Sequence, residues 1–580
     1  MHLTSSIPFI WTFIVIQSDS AHAFLIPPSP PASFPAPIVE RDVNVIAAPA
    51  IVQQNVAANP PLPILEIGYE HIISQIGENI TLVESQSTTN DRRHSGISKV
   101  VSLSVALAQC GPGTPCVDGS CCNSVGKCGF KPYNCKTTGT TTCISNCEAQ
   151  ANCGVDSLNG AQKCPLNTCC SYFGYCGTTD VFCKGATTHH PNAPDTTLPC
   201  QKGFGSCEVA QKPSCKAGDR SASRGRKVAY WQAGNVQWRS CDKVWASQID
   251  TTVLTHLIFA FASIDPKTFK VVPVDPRTDI PLYSQFTALR STVLKTWIAV
   301  GGGGLNDAGA PTIHAWSDMA SSAESRAVFI SSLTNFMNRY GFQGVDLDWE
   351  TPVLAYRGGR QADFGNIVLL VKEMRSAFGK RYGISIAIPT DFSALSQFDL
   401  IAMQPYLDFF NFMAYDIHGP WEAARLGAHV LPQASIQDIE SRIVPLWFDG
   451  IEPSKVNLGL PYYGRGYTLS NTSCVDAGCP YTSTSAPGPC THSEGIMSLK
   501  EILDLIKQKH LEPKLISDTF QKQITYDGNQ WMAYDDAETL AMKEIWADQN
   551  CLGGTVAWTV DFVGGSGKLV IGSFPMSFKH

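Results

Sequence analysis

A chain of 580 residues with 44% hydrophobic content is too long for one ordinary domain and can bury a sizeable core. Its formal net charge of -7 leaves no basic stripe, which excludes nucleic acid or an anionic membrane as the main partner and favours a neutral polymer or a small molecule. The 22 cysteines are even in number and clustered, as disulfide frameworks are in an oxidising compartment.

The chain begins "MHLTSSIPFIWTFIVIQSDSAHA", an apolar run from Ile7 to Ile16 followed by the small-x-small triplet Ala21-His22-Ala23. This predicts a signal peptide over 1–23, although its first part carries His2 and no Lys or Arg. No later apolar run reaches the ~18 residues that span a bilayer, and "KLVIGSFPMSFKH" lacks the apolar tail of a lipid-anchor signal. The expectation is a secreted, extracellular chain. Residues 24–109 open with "FLIPPSPPASFPAP" and are expected to be a largely disordered, Pro-rich linker or pro-region. They hold a dibasic pair, Arg92-Arg93, that could be processed, and a sequon at Asn79; a second sequon lies at Asn471.

Residues 110–183 are cysteine-rich and contain two segments of similar spacing. The second, "CGVDSLNGAQKCPLNTCCSYFGYCGTTDVFC" (153–183), carries Cys153, Cys164, Cys169, Cys170, Cys176 and Cys183. A unit this small cannot be held by apolar burial, so disulfides must supply the constraint. Its loop "CCSYFGYCG" presents Ser171, Phe173 and Tyr175, with Phe182 closing the segment: aromatics and a hydroxyl that suit the apolar faces and polar edges of sugar rings. The same rings could instead form the unit's small core. The cysteine pattern and CCS-x-aromatic-G-aromatic-CG resemble the hevein-type chitin-binding module. That resemblance implies N-acetylglucosamine binding through Ser171, Phe173, Tyr175 and Phe182. The first segment, "CGPGTPCVDGSCCNSVGKCGFKPYNC" (110–135), keeps the six cysteines but has Asn123, Val125, Lys127 and Asn134 at the matching points. It is expected to be degenerate, structural or a weak binder. Residues 184–225, with Cys200, Cys207 and Cys215, read as a linker.

From about Arg226 to the end, short β-branched and aromatic runs alternate with helical stretches: "KVAYWQ", "LTHLIFAFASID", "LKTWIAVGGG", "GVDLDWE", "YGISIAIP", "FFNFMAYD", "KVNLGLPYY" and "GGTVAWTVDF". Eight buried-type strands with intervening helices such as "NIVLLVKEMRSAFG" predict an α/β fold, a TIM (β/α)8 barrel over 226–580, with an open doubly wound sheet as the alternative. Gly301 to Gly304 is not a phosphate loop, because no GK[ST] follows. A longer gap holding Cys474, Cys479 and Cys490 predicts a small inserted α+β subdomain at about 464–548.

The chemistry concentrates in "GFQGVDLDWE" (341–350), where Asp346, Asp348 and Glu350 alternate with Val345, Leu347 and Trp349. In a strand the acids form one row, ~6.6 Å apart. An antiparallel strand would show that row to water; a barrel strand turns it inward, with Glu350 nearest the C-terminal mouth, and mutual repulsion keeps at least one acid protonated. The stretch resembles the D-G-x-D-x-D-x-E signature of family-18 glycoside hydrolases. The resemblance implies that Glu350 protonates the glycosidic oxygen, that the substrate's acetamido group is the nucleophile, and that Asp348, steadied by Asp346, orients that group. It also assigns Tyr415 and Asp416 of "FMAYD" to the acetamido group, Trp558 of "AWTVDF" to the floor of the site, and Trp421, Tyr463 and Arg465 to substrate binding.

The whole chain is similar to the fungal killer-toxin-like chitinases, through "YGFQGVDLDWE", "FMAYDIHGPWE", "PLWFDGIEPSKVNLGLPYYGRGYTL" and "MSLKEI". It departs from them at Gln343, in place of the first signature acid, and at Gly234, Gly303, Thr351, Ser393 and Ala394, where such enzymes place aromatics. The expected function is a secreted endochitinase-type hydrolase acting on chitin and its oligosaccharides, with no cofactor, metal or protein partner. The alternative is a chitin-binding protein that has lost efficient turnover; a toxin subunit delivering a partner chain is a third possibility.

Overall fold

The computed structural model describes residues 110–215 and 221–564, except 112, 117, 191 and 192, and three short antiparallel strands upstream, Ile51–Gln54, Ile80–Ser85 and Lys99–Val105. The expected signal peptide, Asn79 and Arg92-Arg93 lie outside the described residues.

Eight parallel strands form the centre: β1 (Arg226–Gln232), β2 (His256–Ile264), β3 (Lys295–Gly301), β4 (Gly344–Asp348), β5 (Gly383–Ile388), β6 (Phe409–Phe412), β7 (Val456–Pro461) and β8 (Gly554–Trp558). Each pairs with the next, and β8 pairs back to β1, so the sheet closes and the open-sheet alternative is excluded. Closure makes the two-residue alternation count twice. One set, Val228, Tyr230, Ile258, Ala260, Trp297, Ala299, Phe409 and Val556, packs inside the barrel. The other, including Trp231, Phe259, Ile298, Val345 and Leu347, packs outward against the helices.

The helix Ala323–Tyr340 shows how the acidic strand is set. Its Oγ-capped start at Ser322 satisfies a free N–H, and Phe329, Leu333, Phe336 and Met337 line one buried face. Burying each of those side chains stabilises by about 1.5–3 kcal/mol. Gly341 ends the helix at φ 86°, a left-handed turn that any Cβ would strain, and sends the chain into β4. Gln343, at the base of β4, accepts a hydrogen bond from the Thr296 N–H at 3.1 Å; the amide that replaces an acid here ties β4 to β3.

Between β7 and β8 lies the inserted subdomain, with strands Tyr463–Leu469, Tyr481–Thr484, Lys514–Ile516, Gln521–Tyr526 and Gln530–Tyr534 in one antiparallel sheet and the helix Leu499–Lys509 beside it. It is shorter than the expected 464–548, because the helix Ala537–Gln549 packs on β7 and β8 and belongs to the barrel's outer ring.

All 22 cysteines are paired. The first segment joins Cys110–Cys122, Cys116–Cys128 and Cys121–Cys135; the second joins Cys153–Cys170, Cys164–Cys176 and Cys169–Cys183, the same connectivity. The 184–225 segment carries its own bridge, Cys200–Cys207, and is fastened to the barrel by Cys215–Cys551. Cys241–Cys490 joins the loop after β1 to the inserted subdomain.

Candidate active site

The inward face of β4 carries the acids. Val345, Leu347 and Trp349 are buried on the helix side, Trp349 stacking on Trp316 at 5.3 Å, while Asp346 and Asp348 are buried inside the barrel and Glu350 is half-buried at its mouth. A solvated polar face is therefore ruled out for this strand.

Asp346 is held from several neighbouring strands. Tyr230 of β1 and Ser385 of β5 donate hydroxyl hydrogen bonds to its two oxygens, and Asn411 of β6 donates from Nδ2 to Oδ1 at 3.1 Å. Behind Asn411, Asn457 Nδ2 donates to Asn411 Oδ1 at 2.9 Å and Arg226 Nε donates to Asn457 Oδ1 at 2.8 Å. This chain spans the barrel from its base to the acid row, and it satisfies a charge that burial alone would make costly.

Asp348 is hydrogen-bonded to Asp346, and burial, Asp346 and Glu350 together raise its pKa well above the usual carboxylate range. The buried Oδ1 of Asp348 has no hydrogen-bond partner among the described residues, so the site presents an unsatisfied acceptor. Glu350 is pushed up to about 7, chiefly by burial; Arg357 opposes the shift, Asp307 and Asp416 add to it, and a hydrogen bond from the Gly303 N–H lowers it. A carboxyl with that pKa can give a proton and take one back near neutrality.

Arg357 organises the rim below this acid. Its Nε donates to the Glu350 carbonyl at 2.7 Å, another guanidinium nitrogen donates to the Gly303 carbonyl at 2.8 Å, and the third pairs with Asp307. Facing Glu350, Tyr415 lies beyond the end of β6 with its hydroxyl pKa raised by burial and then by Glu350 and Asp348. Asp416, at φ 54°, accepts at Oδ1 from the Tyr463 hydroxyl and from Arg465 Nε at 2.6 Å. The Arg465 guanidinium lies 4.8 Å from the Trp421 ring centroid. Trp558, half-buried at the end of β8, stacks on Phe261 at 5.9 Å and tilts against Tyr230 at 5.2 Å, forming an apolar floor. The nine residues expected here, Asp346, Asp348, Glu350, Tyr415, Asp416, Trp421, Tyr463, Arg465 and Trp558, converge on one mouth.

The thinned positions have identifiable surroundings. The Trp238 ring lies across Gly234, so that a Cβ there would meet it at 2.2 Å. Thr351 is buried, and Ser393 and Ala394 sit on the short helix Phe392–Leu395 capped by Asp391. Tyr356, 56% exposed on the loop after β4, lies near Asp391.

Several residues were not anticipated: Tyr230, Ser385, Asn411, Asn457, Arg357 and His418. The first four had a signal, being polar side chains at inward positions of otherwise apolar strand runs. His418 had none; its Nδ1 bonds Glu422 at 2.8 Å and its Nε2 bonds Asp438 at 3.3 Å, pinning the loop between Asp416 and Trp421.

Among the chitin-module residues, Phe173 is half-buried, Ser171 is buried with its Oγ accepting from the Tyr175 N–H at 3.2 Å, and Phe182 covers Gly177 and packs against a cluster of Cys169, Cys183, Cys200 and Phe448, the last from the barrel helix Ile436–Phe448.

A closed parallel barrel with a shielded acid row at its C-terminal mouth and an aromatic floor defines a barrel of glycoside-hydrolase type. Residues 226–562 match the glycosyl hydrolases family 18, and the chain belongs to that family. Residues 152–190 match the chitin recognition protein family. Among curated proteins, the chain is 32% identical to chitotriosidase-1 of Mus musculus over 336 residues, 54% of this chain and 68% of that protein. It is 27% identical to the killer toxin subunits alpha/beta of Kluyveromyces lactis over 380 residues, 64% of this chain but 31% of that protein. Among solved structures, catalytic domain 2 of the Ostrinia furnacalis group II chitinase matches with TM-score 0.54 at 25% identity, over 58% of this chain and 90% of that one. Human YKL-39, described as a pseudo-chitinase with retained chitooligosaccharide binding, matches with TM-score 0.51 at 25% identity, over 58% of this chain and 93% of that one.

Proposed function

We propose that the protein is a secreted chitinase of endo type that cleaves β-1,4-linked N-acetylglucosamine chains with retention. The observation that carries this reading is the pairing of Glu350, with its pKa pushed up to about 7, with the unsatisfied buried Oδ1 of Asp348 beside it. Asp348 accepts the acetamido N–H of the sugar at the cleavage point and Tyr415 donates to its carbonyl region. That carbonyl oxygen attacks C1 as the C1–O bond breaks, and the leaving oxygen takes the Glu350 proton. The Glu350 carboxylate then removes a proton from water as the water oxygen attacks C1 and the bond from C1 to the acetamido oxygen breaks, which restores the acid, the acetamido group and the starting configuration. Trp558 stacks beneath the sugar, and Asp416, Trp421, Tyr463 and Arg465 line its polar edge.

The paired cysteines support an oxidising destination, which fits the expected secretion. Residues 153–183 would anchor the barrel to insoluble chitin. The test is release of reducing ends from chitin hexamer by the full chain and by Glu350→Gln. Wild-type release that drops at least a hundredfold in the variant supports the reading. If both are silent while both bind chitin, the second reading holds: a chitin-binding protein without turnover, which the small residues Gly303, Thr351, Ser393 and Ala394 at the cleft favour.

A further inference from the structure

The two cysteine-rich segments are packed together rather than strung apart. Asp118 of the first, 2% exposed and fixed by the Ser120 N–H at 2.7 Å, accepts the Tyr175 hydroxyl of the second. Phe130, also buried, packs on the Tyr175 ring at 5.3 Å. Lys131 Nζ pairs with Asp156 at 2.7 Å and lies 4.2 Å from the centroid of the Tyr172 ring. Tyr175 is thereby engaged within the protein, its hydroxyl by Asp118 and its ring by Phe130, while it stays half-buried like Tyr172, Phe173 and Phe182.

Three further rings lie along the seam, partly exposed, one of them the Tyr172 ring that meets Lys131. Tyr133, on the short helix Pro132–Cys135 of the first segment, is 50% exposed, next to the seam that Lys131 makes. Burial raises its hydroxyl pKa, and Tyr172 and Asp156 add to the shift, so it lies within electrostatic range of both; Lys131, two residues before it in the chain, touches both. Tyr172 and Phe173 of the second segment are half-buried and meet edge to face at 5.4 Å. The Lys131 charge is balanced by Asp156, so the seam suits an uncharged polymer better than an anionic one.

We propose that the sugar-binding surface straddles the two segments, with Tyr133 from the first and Tyr172 and Phe173 from the second stacking on a β-1,4-linked N-acetylglucosamine chain, and the Lys131–Asp156 pair offering polar contacts along the seam. The first segment is then half of one site, in place of a failed site of its own. The inference rests on the reading that the chain binds chitin.

The test is retention of the full chain on chitin beads, with hydrolysis of soluble chitin trimer as a check on the barrel. Tyr133→Ala is expected to weaken retention about three- to tenfold, the size of one lost ring contact, and to leave trimer hydrolysis unchanged. Tyr175→Phe, which frees Asp118 and loosens the seam, should weaken it as well. If the wild type is retained and Tyr133→Ala is retained equally, the composite site is wrong, and a loss confined to Phe173→Ala places the site in the second segment alone. If the wild type is not retained, the chitin-binding reading falls together with the inference.

Discussion

Replacing Glu350 by Gln keeps the shape of the side chain and removes its titration, which makes the cost of the acid measurable as stability. In the unfolded chain a Glu loses its proton near 4.5; in the barrel it keeps it to about 7. Over that interval the unfolded state binds fewer protons than the folded one, so wild-type stability falls as pH rises. The Gln variant has no such loss. The difference corresponds to up to ~3 kcal/mol, since each pH unit between the two pKa values contributes about 1.4 kcal/mol. The stability of Glu350→Gln relative to wild type should therefore be flat below pH 4.5, climb between 4.5 and about 7, and stay level above. Urea unfolding followed by tryptophan fluorescence from pH 4 to 9 reads this directly. A difference independent of pH would refute the claim that burial raises the Glu350 pKa.

The same reasoning, with the same sign, applies to His418, whose folded pKa also lies above its ordinary value. Burial lowers its pKa, but the hydrogen bonds to Asp438 and Glu422 outweigh it and the value rises to about 9, so the clamp's contribution is complete below about pH 6.5 and is lost as pH rises through 9. His418→Gln should cost about 1–3 kcal/mol at pH 6 and much less at pH 9.5, by urea unfolding at both. Tyr230→Phe removes a hydroxyl donor from buried Asp346 and should cost about 1.5–3 kcal/mol, with a fall in kcat larger than any change in KM. The double variant Cys215→Ser/Cys551→Ser opens a loop of 336 residues and should lower stability by several kcal/mol, ~5 at most, seen as a lower thermal midpoint.

The barrel was legible because its strands are apolar on both faces and its helices are periodic. The acid row was legible because three carboxylates on one face of such a strand have no solvent to meet. Tyr230, Ser385 and Asn411 were readable in principle, since a polar residue at an inward position of a buried strand needs a partner, but the partners lie on other strands, 116 residues away for Tyr230 and Asp346 and 181 for Asn411 and Tyr230. Arg357 and His418 sit on loops whose course no periodicity fixes. The largest departure concerns the cysteine-rich region. Local spacing divides its cysteines into two sets of six and treats each segment as an independent module, whereas the ion pair, ring contacts and Tyr175–Asp118 bond that fuse them depend on how two small surfaces fit.

Whether the substrate's own acetamido group takes part is decided by the anomeric form of the first product released from chitin hexamer, read by NMR before mutarotation. The substrate-assisted route through Glu350 and Asp348 predicts the β-anomer from the wild type and no product from Glu350→Gln; an initial α-anomer, or equal release by both chains, would contradict it.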